Sequence, residues 1–253
     1  MGRVISQAHE DISGWGARIE AVIAATDHCC VDRVVVIGST PSTMDAALLM
    51  ARGHPGLLLI ASSQTAGRGA RGRRWHDGDR CTLPCTFVID PAGKDAPTLA
   101  ACVACAVHET LNGLLPAPVE AGIKWPNDIV VRHEGRERKL AGILIERRQG
   151  LTLVGIGINC APLGVAGSRA DPQLLQRAVS LEELGATVSR PDVACRLLGC
   201  MSRWLANSDQ DAIRDRFVLH DAMVGTVRTF EHGRVRYRGL VEAIDPLSTI
   251  TIK

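Results

Sequence analysis

Residues 121–159 run through apolar, β-branched segments that lie too close together to hold a helix between them. The stretches 129–131, 139–146 and 151–159 read as strands, separated by short turns centred on Gly135 and Gly150. Strands joined by so few residues pair antiparallel, because a parallel crossover takes a dozen residues or more. Upstream the pattern is mixed: a β-branched run at 34–37, a helix at 43–51 stopped by Gly53, an apolar strand at 57–61, a strand near 83–89, a helix at 98–111 and a strand leading into Lys124. Without a regular βαβ rhythm, this is an α/β (α+β) chain built on a mixed sheet rather than a Rossmann fold.

The flanks differ from this centre. Residues 1–33 form an N-terminal extension with one helix at 16–25, too little for a winged helix-turn-helix with its own core, so no DNA-binding module is expected there. Residues 34–220 make the main domain. Its later part holds a capping box, Ser180 with Glu183, and Pro191 at a favoured first helical position, predicting helices at 181–184 and 191–206. From residue 221 onward, short β-rich segments at 225–230, 234–237, 240–244 and 249–252 predict a small β-barrel, cut short at Lys253.

Composition narrows the function classes. With 46% hydrophobic and 22% charged residues, 253 residues bury an ordinary core, and a net charge of +2 gives no global case for nucleic acid or an anionic membrane. The N-terminus has no signal-peptide pattern and no stretch is long enough to span a bilayer, so a cytoplasmic location is expected. Nine cysteines, including the vicinal pair Cys29 and Cys30, do not form a secreted disulfide pattern in so long a chain. Cys102 and Cys105 make a C-x-x-C inside an apolar helix with no second pair at zinc spacing, and core packing is the expected role; Cys81 and Cys85 get the same reading.

Four elements carry chemistry. Residues 67–75, Gly-Arg-Gly-Ala-Arg-Gly-Arg-Arg-Trp, follow Gln64-Thr65-Ala66 and put four arginines within seven positions. Glycines let the backbone approach a ligand, and arginine forks bind phosphate or carboxylate; the plainer reading is a solvated basic loop. Of only eight aromatics, Trp75 and Trp125 fall in such polar loops, where an exposed indole suggests stacking on a flat ring. Lys124-Trp125-Pro126-Asn127-Asp128 sits between two strands, offering a cation, an amide and a carboxylate for polar recognition of a nucleotide, with Asp128 able to meet magnesium. Ordinary turn chemistry is its alternative.

The third element pairs Arg138-Lys139-Leu140-Ala141-Gly142-Ile143-Leu144 with Val154-Gly155-Ile156-Gly157-Ile158-Asn159. Strand alternation puts Gly155, Gly157 and Asn159 on one face, a bare-backbone slot for a compact apolar ring with urea-like edges. Lys139 at its mouth suits the charge that develops when a carboxylate joins an α-phosphate. Lastly, Ser42 and Asp45 are spaced as a capping box, and hydroxyls at a helix start also suit a polar ligand edge.

Taken in this order, the four elements resemble the biotin-protein ligase family, whose hallmarks are a Ser-Thr pair, a Gly-Arg-Gly-Arg-x-Gly-Arg-x-Trp loop, Lys-Trp-Pro-Asn-Asp and Lys-Leu-x-Gly-Ile-Leu. The resemblance runs from about residue 34 to 159 and is of the monofunctional type without a DNA-binding domain. It implies a catalytic fold like that of class II aminoacyl-tRNA synthetases followed by an SH3-like barrel. It also implies that biotin meets Ser42, Thr43, Gln64, Gly142, Gly155 and Gly157, with Gly67 and Arg68 near its carboxylate. Lys139 and Arg68 become the catalytic cations. Arg71, Arg73 and Trp75 fall to the adenylate, Trp75 by stacking on adenine, and Asn127, Asp128 and Asn159 to the nucleotide and its magnesium, with Asp128 as metal ligand. ATP and Mg2+ are the implied companions of biotin, and the implied partner is the biotin carboxyl carrier protein or domain of acetyl-CoA carboxylase or a related carboxylase. A homodimer through sheet edges near the glycine-bearing strands is one option beside a monomer.

Three features depart from the family pattern. Met44 stands in place of an asparagine. Ala70 stands in place of the loop's second arginine, where losing a charge-assisted hydrogen bond is worth roughly 1.5–3 kcal/mol, about ten- to a hundredfold in affinity for the adenylate, unless Arg71 takes over the contact. The barrel is short. Lipoate or octanoate attachment on the same fold, and a non-catalytic biotin or nucleotide sensor, are the alternatives.

Overall fold

The computed structural model describes residues 12–77, 81–163, 172–233 and 235–253. Seven strands, β1 (Arg33–Thr40), β2 (Leu57–Gln64), β3 (Thr82–Ile89), β4 (Ala121–Lys124), β5 (Asp128–His133), β6 (Arg136–Arg148) and β7 (Leu151–Asn159), form one sheet in the order β1-β2-β3-β7-β6-β5-β4. Only β1 and β2 are parallel, with helix α2 (Thr43–Ala51) as their crossover; every other pair is antiparallel, as the short turns require. The mixed sheet expected from the sequence is therefore present. The glycine-bearing strands β6 and β7 are interior and the edges are β1 and β4, so a dimer through edges beside the glycines is not available.

Both faces of the sheet are covered, which explains why β2 and β7 read as unbroken apolar runs. Leu58 and Ile60 of β2 point to a large cluster with α1 (Trp15–Ala25), α3 (Ala96–Asn112), α5 (Arg190–Ala206) and α6 (Gln210–Leu219); Leu57 and Leu59 point the other way, to Ala47, Leu48 and Ala51 of α2. Burying each such side chain is worth about 1.5–3 kcal/mol. Helix α3 starts at Asp95, whose carboxylate accepts from Thr98 N at 2.9 Å. It carries Cys102 and Cys105 fully buried, and burial pushes their thiols up to about 11 and about 12, which suits packing rather than redox chemistry. All nine cysteines are thiols, none joined in a disulfide.

The first residue of α5, Arg190, is a buried cation. It donates to the carbonyls of Ser62 (2.6 Å) and Thr82 (2.9 Å) and lies over the Trp15 ring, tying the helix layer to the sheet. Burial brings its guanidinium down to about 10.

Some local expectations fail. The Ser180–Glu183 box exists, with Ser180 N and Oγ donating to Glu183 and Glu183 N to Ser180 Oγ, but residues 181–185 form turns and not a helix. Leu184 N still donates to Ser180 O, but Gly185 in a left-handed conformation (φ 86°) ends the segment after one turn. Helices α4 (Pro172–Arg177) and α6 lack a sequence expectation.

Beyond α6, the chain hooks onto the β4 edge: Ile123 N donates to His220 O and Ala222 N to Ile123 O. A separate antiparallel sheet follows, β8 (Val227–His232), β9 (Val235–Asp245) and β10 (Thr249–Ile252), in the order β10-β9-β8, fitting a small SH3-like domain. The two segments expected at 234–237 and 240–244 are one continuous strand, with Arg234 outside the described residues. Among the described residues no helix is long and apolar enough to cross a membrane.

Candidate active site

On the α2 face, the sheet carries side chains under the helix and bare backbone beyond it. Gly155 and Gly157 of β7 pair with Leu144 and Gly142 of β6, so three glycines floor a narrow cleft. The floor is tightly roofed. A Cβ at Gly157 would lie 2.5 Å from Trp75 Cζ2, one at Gly142 would lie 2.9 Å from Trp75 Cζ3 and 2.7 Å from Lys139 Nζ, and one at Gly155 would lie 2.9 Å from Met44 Sδ.

One end of the cleft is polar. Gln64 Oε1 accepts from Thr43 N at 2.7 Å and from Thr43 Oγ1 at 3.0 Å, and Thr86 Oγ1 donates to Thr43 Oγ1 at 3.0 Å. The Gln64 amide nitrogen therefore stays available as a donor beside Ser42, which also lines the cleft. Ser42 is the helix N-cap residue but makes no side-chain cap bond. The capping box with Asp45 is thus absent: Asp45 turns outward and accepts both Arg68 Nη1 (2.6 Å) and Nη2 (3.0 Å), plus Arg148 Nη1 (2.6 Å). The Arg68 hydrogen bonds hold its carboxyl down at about 2.

The glycine-arginine loop folds back on itself as a small hairpin. Gly69 N donates to Arg73 O, Trp75 N to Gly67 O, and Arg68 pairs with Arg74. Its return is anchored by buried Asp77, which accepts from Gln64 N and Thr82 Oγ1. Arg68, Gly69, Ala70 and Trp75 line the cleft, whereas Arg71, Arg73 and Arg74 are exposed on its outer side, Arg71 in a left-handed turn at φ 58°. Trp75 is not an exposed stacking platform: its ring covers the glycine floor, with the Lys139 ammonium 5.3 Å from its centroid and its own Nε1 buried without a protein partner. Trp125 is half-buried, packed against the main core.

At the mouth, Lys139 Nζ and Asp128 Oδ1 form an ion pair at 2.6 Å, each side chain about one-third exposed or less. Lys124, from the same turn, pairs with Glu137 at 2.6 Å, and Arg228 of β8 grips that glutamate from the other side, linking the second sheet to this edge. Asn127 and Asn159 are occupied structurally: Asn127 Nδ2 donates to Ile143 O at 2.9 Å, and Asn159 Nδ2 to the carbonyls of Lys139 and Val179. No group of three or more His, Cys, Asp or Glu among the described residues could hold a metal by itself. Sequence reasoning missed the roles of Asp45, Arg148 and Asp77, because nothing local distinguishes a capping or turn aspartate from a distant clasp.

An apolar floor, an amide-rich end and a cation–carboxylate mouth suit a small ring acid that is activated at its carboxyl. Comparison agrees with this chemistry. The Biotin/lipoate A/B protein ligase family model matches residues 36–162, half of the chain. The chain is 35% identical over 173 residues to the biotin--[acetyl-CoA-carboxylase] ligase of Mycobacterium tuberculosis, covering 66% of this chain and 61% of that protein's length. It is 28% identical over 234 residues to the enzyme of that name from Paracoccus denitrificans, covering 86% and 93% of the two chains. Its fold superimposes on the Aquifex aeolicus biotin protein ligase in complex with biotin and ATP with a TM-score of 0.67 at 24% identity, over 83% of this chain and 86% of that one. The chain therefore belongs to the biotin/lipoate A/B protein ligase family, as a member of the biotin-protein ligase kind.

Proposed function

We propose that this chain activates biotin with ATP, giving biotinyl-AMP and pyrophosphate, and then passes the biotinyl group to a lysine of a biotin carboxyl carrier domain, as of acetyl-CoA carboxylase. The walls of the cleft carry the reading: Trp75 and Met44 seat directly on the bare backbone of Gly142, Gly155 and Gly157 and leave a slot for a fused ring between them, beside the Ser42, Thr43 and Gln64 end that suits a ureido group. Arg68, now held by Asp45, would turn to the biotin carboxylate, with Gly67 giving the loop backbone room beside it. In the first step a carboxylate oxygen attacks the α-phosphorus and the bond to pyrophosphate breaks. The Lys139 ammonium then faces the charge that builds on carboxylate and phosphate oxygens. In the second step the carrier amine attacks the acyl carbon, AMP leaves with the bonding pair, and the amine gives up its proton.

Magnesium would enter on the nucleotide phosphates, which need few protein ligands. Asp128 is the carboxylate that would reach it, and it is already partnered by Lys139. Arg71 and Arg73 would close from outside the cleft onto the adenylate, and Trp75, now on the glycine floor, would wall the ring and reach the nucleotide from there. The catalytic domain spans 34–220 and the appended barrel 221–253. The protein acts in the cytoplasm, as monomer or homodimer, on a protein partner, without nucleic acid or membrane.

Exchange of labelled pyrophosphate into ATP tests this. Exchange that depends on biotin is expected; exchange that depends on lipoate, or none with any acid, overturns it.

A further inference from the structure

We infer that Asn159 is a positioning residue for Lys139: its side-chain amide clamps the Lys139 carbonyl beside a bulge, onto the short parallel bridge that Lys139 makes with Ala178, and so fixes the face from which the lysine leaves the sheet. This rests on the proposed ligase reading for its kinetic consequence, not for its geometry.

Lys139 and Gly142 are three residues apart, so in an unbroken strand their side chains would leave opposite faces. They share one face here. Across from β5 the register runs Ile129 with Ala141 and then Val130 with Lys139, leaving Leu140 as an extra residue whose side chain is buried in the helix-side core. A bulge changes the count from odd to even and re-aims what precedes it. Pairing of β6 with β7 stops just before the bulge, at Ala141 and Ile158, because β7 ends at Asn159.

The carbonyl of Lys139 needs other donors. It receives two: Val179 N at 3.0 Å and Asn159 Nδ2 at 3.0 Å. The second N–H of the same amide goes to Val179 O at 3.1 Å. A primary amide has two donors, and both are spent on this junction. Asn159 is 3% exposed, and its own backbone carbonyl accepts Leu181 N at 3.0 Å. No N–H remains for a nucleotide.

The test uses two readouts on Asn159→Asp, which keeps the shape and removes both donors. In biotin-dependent pyrophosphate exchange, kcat falls about a hundredfold, as expected when a group is displaced by an ångström, while KM for ATP stays within about threefold. Separately, the unliganded protein is reductively 13C-methylated and the Lys139 resonance, one of four lysines and identified by its loss in Lys139→Arg, is followed by NMR. Its ring-current shift from Trp75 is lost in the variant. A KM for ATP raised about tenfold with kcat kept, or an unmoved Lys139 resonance, overturns the inference. If the wild type shows no exchange, the ligase reading fails and the resonance still decides the positioning. Asn159→Ser retains one donor and serves if the aspartate variant does not fold, with the same split expected at about tenfold.

Discussion

The indole of Trp75 rests on Gly157 so closely that a methyl group there would lie 2.5 Å from Cζ2 and 2.9 Å from Nε1. Gly155, two residues earlier on the same face, meets the Met44 side chain, Sδ at 2.9 Å and Cγ at 3.1 Å, with the Leu144 carbonyl at an ordinary 3.5 Å. Gly157→Ala is therefore expected to weaken biotin binding at least about tenfold, roughly 1.4 kcal/mol, and Gly155→Ala clearly less, because a thioether swings aside and a packed indole does not. Titration calorimetry of both variants checks the order; equal losses would remove the role given to Trp75.

Asp45 clasps Arg68 and Arg148 at once, which ties the first turn of α2 to the glycine-arginine loop. Asp45→Ala leaves the loop hairpin without its outer anchor and is expected to raise the rate of tryptic cleavage within 68–74 by about threefold or more, since proteolysis follows local opening. Global stability changes little, because exposed ion pairs contribute about 0–1 kcal/mol. Time courses of limited digestion report the first effect and thermal melts the second.

Ala70 faces the cleft while Arg71 is exposed in a left-handed turn, so before the loop closes no guanidinium stands at the Ala70 position. Ala70→Arg is expected to slow the escape of biotinyl-AMP by about ten- to a hundredfold. Rapid gel filtration of the enzyme–adenylate complex gives the off-rate, and an unchanged value would count against the idea.

His108 is fully buried, stacked on His220 at 4.2 Å, and bonded through Nε2 to Ala121 O. Burial, helped by His220 and Arg216, brings its imidazole down from 6.5 to about 4, with Glu109 opposing. Between those values the unfolded chain binds a proton that the folded one refuses, so stability falls as pH drops from 6.5 toward 4. The slope is up to ~1.4 kcal/mol per pH unit, about 3 kcal/mol in all. Above the ordinary histidine value the residue adds no pH dependence. Urea unfolding at stepped pH should show this slope, and His108→Gln should flatten it.

Much of this was legible in the chain itself. The glycines at 155 and 157 declare a bare strand face because side chains alternate at period two, and the turns at Gly135 and Gly150 dictate antiparallel neighbours because so few residues allow nothing else. Ser42, Thr43, Gln64 and Lys139 were brought to one cleft as their motifs suggested. Other features depended on partners far along the chain. Asp45 looked like half of a capping box until Arg68 and Arg148 claimed its carboxylate.

What the sequence determined by itself is therefore the periodic and the local: which faces are apolar, where the chain turns, which loop can approach a ligand. Tertiary structure decided the face from which Lys139 emerges, the seat of Trp75 and the packing of Trp125 against the core. Each depends on register or on a bond between residues many positions apart, and a one-residue bulge at Leu140 reverses what alternation alone predicts.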